Sequence, residues 1–337
     1  MGLTATLVDP LTDPVPAAWD RFVTTERLLP LWRSQLLRTA DWCSQTASSM
    51  VLVHEPGAAE PVALFHARHL GAVHPGRFAR PGRLPVPTLT EVRTTPVAMG
   101  AGLTFAAAAG PAERAEAVRV FEHAIRQHTG WRGVALAYRE LEPRHLPAVP
   151  TAGRLRLRLG PTLVLHNEWS DLDGYLASLP GKWRSQLRKI HRTIEADPTL
   201  RVELVDTLPA GEACWLAQVV RERHLSRAVP RPPLPAGYFG QFAALPGSRF
   251  VTYRDAGGRL LAYAAVLEDG DGLVLVWWGS REDTDGARPN LYFDQYLRLV
   301  DYLITRGRSR LVMGKGMQQI KQRYGARPEP LWGVVGR

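Results

Sequence analysis

The pentapeptide WRSQL stands at Trp32–Leu36 and again at Trp183–Leu187. Each copy follows a short amphipathic stretch that closes on proline, WDRFVTTERLLP (Trp19–Pro30) before the first and LDGYLASLP (Leu172–Pro180) before the second. Five matching letters carry little weight alone. They gain it from falling at equivalent points in two similar strings of elements, which reads as an internal duplication.

Outward from the first copy, TATLVD (Thr4–Asp9) alternates as a strand does, and Pro16–Leu29 has a helical period. SMVLVHE and PVALFHARHL read as neighbouring strands parted by the turn-rich PGAAE. The Pro/Gly/Arg-rich HPGRFARPGRLPVPTLTEVRTTP is expected to be irregular. A helix over Glu113–His128 and a strand GVALAYREL complete this half. Around the second copy, PTLVLHNEW is a strand and Ser170–Ala196 a helix, with Ser170 and Asp171 available as N-caps and Pro198 as its stop. RVELVD, a helix over Glu212–Leu225 and three strands joined by DAGG and EDGDG turns follow. A helix over Asn290–Thr305, the strand RLVMGKG, the short helix MQQIKQRYG and the strand EPLWGVV end the chain. Each half therefore runs strand, helix, basic helix, hairpin, helix, strand. Domains of residues 1–150 and 151–337 are expected, divided within PRHLPAVPTAGRL.

Bulk properties agree with an α/β protein of two domains. A length of 337 residues exceeds what one hydrophobic core usually organises. The 45% hydrophobic and 22% charged content is ordinary for a soluble chain. No run of 18 uncharged apolar residues offers a membrane span, and MGLTATLVDPLTDP has no secretory pattern, so a cytoplasmic protein without a membrane partner is expected. Cys43 and Cys214 lack metal-type spacing, which argues against a zinc site or disulfide scaffold. The net charge of +10 favours a polyanionic partner.

The last third, NLYFDQYLRLVDYLITRGRSRLVMGKGMQQIKQRYGARPEPLWG, resembles the C-terminal signature of the Fem-type and BioF2-like branch of the GNAT superfamily. The family's F-K-x-x-F-G phrase reads Ile320-Lys321-Gln322-Arg323-Tyr324-Gly325 here, and GKWRSQLRKIHR is similar to its basic K-x-R-x-x-L-R-K helix. The departures are Ile320 and Tyr324 at the two phenylalanines. Absent too is the Q/R-x-x-G-x-G/A loop whose backbone N–H groups hold a diphosphate. The resemblance implies two tandem GNAT-like domains, each a mixed, mostly antiparallel sheet flanked by helices. The first is degenerate and the second carries donor binding and catalysis.

It also implies acyl transfer to an amine. Lys321 then neutralises the oxyanion; Asp294 and Tyr292 open the helix NLYFDQYL, the first to orient or deprotonate the amine and the second as an acid or a substrate shelf. Tyr324 is the candidate acid for the leaving group, and His224 an alternative base. Lys182, Arg184, Arg188 and Arg192 form a basic row, and Lys315 sits between glycines; these are the donor-binding candidates. Trp277, Trp278 and Asn290 are substrate-binding candidates. Without the diphosphate loop, a phosphopantetheine thioester on an acyl carrier protein is the first expected donor, with free coenzyme A less favoured. The alternative is aminoacyl-tRNA. A small-molecule amine acceptor, a natural-product setting, a monomer or weak dimer, and no metal complete the expectation. A non-catalytic adaptor for an acidic partner is the rival from another class.

Overall fold

The computed structural model describes residues 2–44, 47–71, 87–94, 100–223 and 233–337. The chain forms two compact units, Met1–Gly160 with Pro330–Arg337, and Pro161–Glu329.

Unit 1 begins with β1 (Thr4–Val8), α1 (Ala17–Thr25) and α2 (Ser34–Ser44), then β2 (Ala47–His54), β3 (Ala63–Leu70), β4 (Thr88–Val92) and β5 (Leu103–Phe105). Helix α3 (Pro111–Thr129) leads to β6 (Gly133–Leu141). Strands β1 to β4 pair antiparallel in order, and β6 lies parallel to β4, which requires a crossover that α3 supplies. Both faces of β2 are buried because helices cover each. Met50 and Leu52 pack with Trp19, Phe22 and Trp32, while Val51 and Val53 pack with Phe121 and Ile125 of α3.

The next strand, β7 (Leu155–His166), passes from unit 1 to unit 2. Unit 2 continues with α4 (Leu172–Ser178), α5 (Gly181–Glu195), β8 (Leu200–Val205), α6 (Ala210–Glu222), α7 (Ala236–Ala243), β9 (Ser248–Asp255), β10 (Leu260–Asp269) and β11 (Gly272–Ser280). Then come α8 (Leu291–Thr305), β12 (Arg310–Gly314), the short α9 (Gln318–Arg323) and β13 (Arg327–Gly336). Its sheet order is β7-β12-β11-β10-β9-β8, antiparallel except where β12 runs parallel to β11. The end of β13 pairs with β6 and so belongs to unit 1, although a boundary at residue 150 assigns it to the second half. A return strand of this kind leaves no mark in a linear reading.

The two WRSQL copies do the same packing work. Trp32 and Leu36 are buried, as are Trp183 and Leu187, while both glutamines are exposed. Several expectations needed adjustment. The single helix over Ser170–Ala196 is two, broken at Leu179–Pro180 because proline disfavours a helical residue before it. Asp171 caps the first of them through the Gly174 N–H at 2.7 Å, and Ser170 does not. Thr88–Val92, inside the stretch expected to be irregular, is a strand. Cys43 and Cys214 are half-buried and not joined in a disulfide. His224 lies outside the described residues.

Unit 1 is tied to its strand end by a buried ion pair. Arg154 donates to both carboxylate oxygens of Glu122 at 2.6 and 2.7 Å, and Tyr138 Oη donates to the same group at 2.8 Å. Burial pushes the Glu122 carboxyl up, but the hydrogen bonds from Arg154 and Tyr138 outweigh it and hold it below its ordinary range. Arg154→Ala removes two charge-assisted hydrogen bonds from this carboxylate, leaving Arg126 and Tyr138, and is expected to cost about 2 kcal/mol in urea unfolding. A depressed carboxyl contributes stability above its unfolded pKa that is lost as pH falls, so the wild-type advantage should shrink on acidification. An unchanged midpoint in the variant would contradict the pairing.

Candidate active site

Strands β11 and β12 are in parallel register for three residues only, Gly272↔Arg310 to Val274↔Val312. Beyond that level β11 runs on to Ser280 while β12 ends at Gly314. The β10–β11 register skips Val276, from Val266↔Leu275 to Ala265↔Trp277, a bulge that bends β11 just past the last parallel pair. The strands part there, and the ends of α8 and α9 lie over the gap.

Lys321 stands at this parting. Gly314 (φ 84) and Met317 (φ 56) turn the chain sharply from β12 into α9, which brings residue 321 back over the strand end. Its Nζ donates to Met313 O at 2.5 Å, and the residue is only 5% exposed. Burial lowers its pKa to about 8. An ammonium has three N–H groups, and no second acceptor holds Lys321 among the described residues. Two donors therefore remain for a ligand oxygen.

An arc of aromatic rings borders the same gap. Trp278, past the bulge, meets Tyr292 edge-on at 5.5 Å; Tyr292 meets Tyr296 at 5.3 Å, and Tyr296 meets Tyr324 at 5.0 Å. Trp277 points to the opposite face, against Tyr238 and Phe239. Asn290, exposed and left-handed, precedes α8 without capping it. Gln295 escaped the sequence analysis. It is fully buried on α8, and neither amide atom has a hydrogen bond of good geometry among the described residues. It approaches the Tyr296 hydroxyl, which is shared with Tyr292 Oη at 3.0 Å. An orphaned buried amide is costly, and only a polar residue where the helix period calls for an apolar one signalled it.

Two sequence candidates are committed to structural hydrogen bonds. Asp294 is fully buried, with His191 Nδ1 at 2.8 Å, Tyr253 Oη at 2.9 Å and Arg298 Nε at 2.5 Å from its oxygens. Burial pushes its carboxyl up, yet these hydrogen bonds outweigh that and hold it below the usual range. A carboxylate so shielded and so occupied cannot take a proton from an amine, so its role is to lock α8 onto α5 and β9. Tyr324 is equally committed: its hydroxyl donates to Phe293 O at 2.8 Å, and burial raises its pKa. A phenol spent on a carbonyl is no acid for a leaving group.

The basic row lies along α5. Arg184 donates to Ala177 O and Arg188 reaches Asp173, both half-buried, while Lys182 and Arg192 are exposed. Arg188, Arg192 and His191 line a cleft of about 420 Å³ with Leu172, Leu176 and Leu297. A neighbouring cleft of about 400 Å³ carries Glu195, Glu203 and Asp301. Both open on the flank of α8 away from Tyr292, and their lining holds no cation placed like Lys321. Lys315 is half-buried in the turn after β12. The β11–α8 connection carries Glu282, Asp283 and Asp285, with Arg223 bound to Glu282 and Arg259 and Arg281 to Asp285. No group of ligating side chains suited to a metal occurs among the described residues.

Two substitutions test this geometry. Gln295→Leu removes two orphaned polar atoms and should raise the unfolding free energy by about 1 kcal/mol. A loss of stability would mean the amide is satisfied. Tyr324→Phe should cost about 1 kcal/mol and leave turnover nearly unchanged, whereas a large kinetic loss would restore it as an acid.

Residues 181–322 match the family described as "Acetyltransferase (GNAT) domain". No curated protein matches the chain. Among solved structures, L-PGS from Bacillus licheniformis is similar over 96% of this chain and 92% of its own, at 12% identity and a TM-score of 0.62. The C-terminal domain of a putative lysylphosphatidylglycerol synthetase from Agrobacterium fabrum covers 95% and 92% at 14% identity and 0.59. FemX covers 98% and 96% at 12% identity and 0.57. The family match thus falls within the second unit, and the solved structures share the fold over nearly the whole chain.

Proposed function

We propose that unit 2 transfers an aminoacyl group from the 3′ end of an aminoacyl-tRNA to an amine, forming an amide. The carrying observation is Lys321, a buried ammonium with one carbonyl partner and two N–H groups for a developing oxyanion. The amine nitrogen attacks the ester carbonyl carbon and the carbonyl π pair moves onto oxygen, where Lys321 donates to it. Collapse breaks the bond to the ribose oxygen, which leaves as a hydroxyl with the proton the amine gives up. Preorganised donors aimed at an oxyanion contribute about 3 kcal/mol. The aromatic arc from Trp278 to Tyr324 excludes water, and Gln295 supplies an unsatisfied donor and acceptor for an amide or carbonyl of the bound groups.

Two features favour tRNA over the carrier protein expected first, and another disfavours free coenzyme A. The likeness to FemX and to a lysylphosphatidylglycerol synthetase points to aminoacyl transfer. The arginines at the β11–α8 connection are paired with its own acids and so are not offered to a diphosphate, which disfavours free coenzyme A. From Arg184 to Arg192 the basic row rises about 12 Å along α5, long enough to follow two backbone phosphates and ending near Trp183, which abuts Tyr324 at 5.4 Å.

Lys321→Ala should lower turnover by about a hundredfold with the fold intact. Because Lys321 loses its charge as pH rises through about 8, wild-type turnover should fall over that range, and Lys321→Arg, charged throughout, should lack that limb. Purified protein given charged tRNA and an amine should form amide. Its affinity should weaken with salt at a slope of about −1 to −2, the value for two phosphates. Transfer from an acylated carrier protein but not from charged tRNA would overturn the donor assignment. Undiminished partner binding with no transfer from any donor would favour an adaptor.

A further inference from the structure

One end of unit 1 presents apolar side chains to solvent that the acyl-transfer site does not use. Strand β6 starts at Gly133, and β13, antiparallel to it, finishes there with Gly336 opposite Leu136. The start of β7 lies at the same end, since a Cβ on Gly336 would stand 2.4 Å from Arg154 Cγ. Trp131, just before β6, is 74% exposed, and Leu155 is 60% exposed; Val134 and Leu157 are exposed beside them. Exposed apolar residues gathered this way mark an interaction surface.

The charge around them has one sign. Positions 130–136 and 154–160 contain Arg132, Arg154, Arg156 and Arg158 and no Asp or Glu. Glu122, on the adjoining helix, is buried and neutralised by Arg154 and Arg126. Arg156 stacks on Trp332 at 4.0 Å and Arg132 on Trp131 at 5.7 Å, which holds both guanidiniums beside the apolar groups. A recess of about 190 Å³ opens at the same end, lined in part by Arg126, Thr129 and Arg337.

We propose that this end of unit 1 docks on an anionic phospholipid surface. Trp131, Leu155 and Leu157 enter the headgroup–acyl boundary, and the surrounding arginines reach lipid phosphates, one of them in the recess. Leucines and arginines alternate between the two faces of β7, so an end-on approach brings both to the interface, the leucines into the boundary and the guanidiniums at headgroup level. Leucines gain from hydrocarbon and little from a sugar–phosphate backbone, which favours lipid over RNA. The expectation of no membrane partner rested on the lack of a long apolar run, and peripheral docking needs none. This inference is independent of the donor assignment.

The test is co-sedimentation of the full chain with sucrose-loaded vesicles, of phosphatidylcholine alone or with phosphatidylglycerol. Binding is expected only to the second and should weaken with salt. Trp131→Ser combined with Leu155→Ser should reduce partition at least tenfold without shifting the melting temperature. Arg158→Gln should reduce it about fivefold, the weight of one cation near an anionic surface. Equal partition into both vesicles, or variants that bind like wild type, would overturn the proposal. So would a protein that ignores vesicles and loses single-stranded RNA binding on the same substitutions.

Discussion

A lysine ammonium buried against a single carbonyl is the constraint around which unit 2 is organised. An ammonium pays heavily for leaving water, and one hydrogen bond to Met313 O does not offset that. The cost is visible in a pKa near 8. The chain reaches this arrangement through backbone devices: a parallel pairing that stops after three residues, a bulge at Val276, and left-handed conformations at Gly314 and Met317. Met317 takes that conformation although it is not glycine. Such local strain is typical of sites where geometry serves chemistry.

The two units show what that constraint changes. In both, an antiparallel meander leads through one crossover helix to a strand parallel to the last, β4 with β6 and β11 with β12. Two residues past the final parallel pair each carries a positive φ, Glu140 in unit 1 and Gly314 in unit 2. In unit 2 the gap beyond holds Lys321. In unit 1 the equivalent position is closed by Glu140, which accepts from Gly100 N at 2.8 Å and meets Arg93 at 3.4 Å. The same backbone device thus carries an ion pair of its own in unit 1 and leads to Lys321 in unit 2.

The sequence made much of this legible. Amphipathic periods located the long helices, glycine turns located the β9–β11 meander, and the motif Ile320–Gly325 pointed at Lys321. What escaped depends on tertiary context. The break at Leu179–Pro180 was hidden in a helical pattern, and β13's return to unit 1 is a long-range pairing. Asp294 looked reactive because its first-turn position on α8 is visible, while its partners His191 and Tyr253 are distant in sequence. Tyr324 misled for the same reason. Gln295 was passed over because burial, not identity, makes an amide noteworthy.

The most direct measurement is an NMR titration of the Lys321 side-chain nitrogen, assigned by comparison with Lys321→Arg, with and without an anionic analogue of the tetrahedral intermediate. The account predicts a midpoint near 8 in the free protein, moving upward when the anion binds. A midpoint at the ordinary lysine value in both states would place the ammonium in solvent and remove the basis for catalysis at this site.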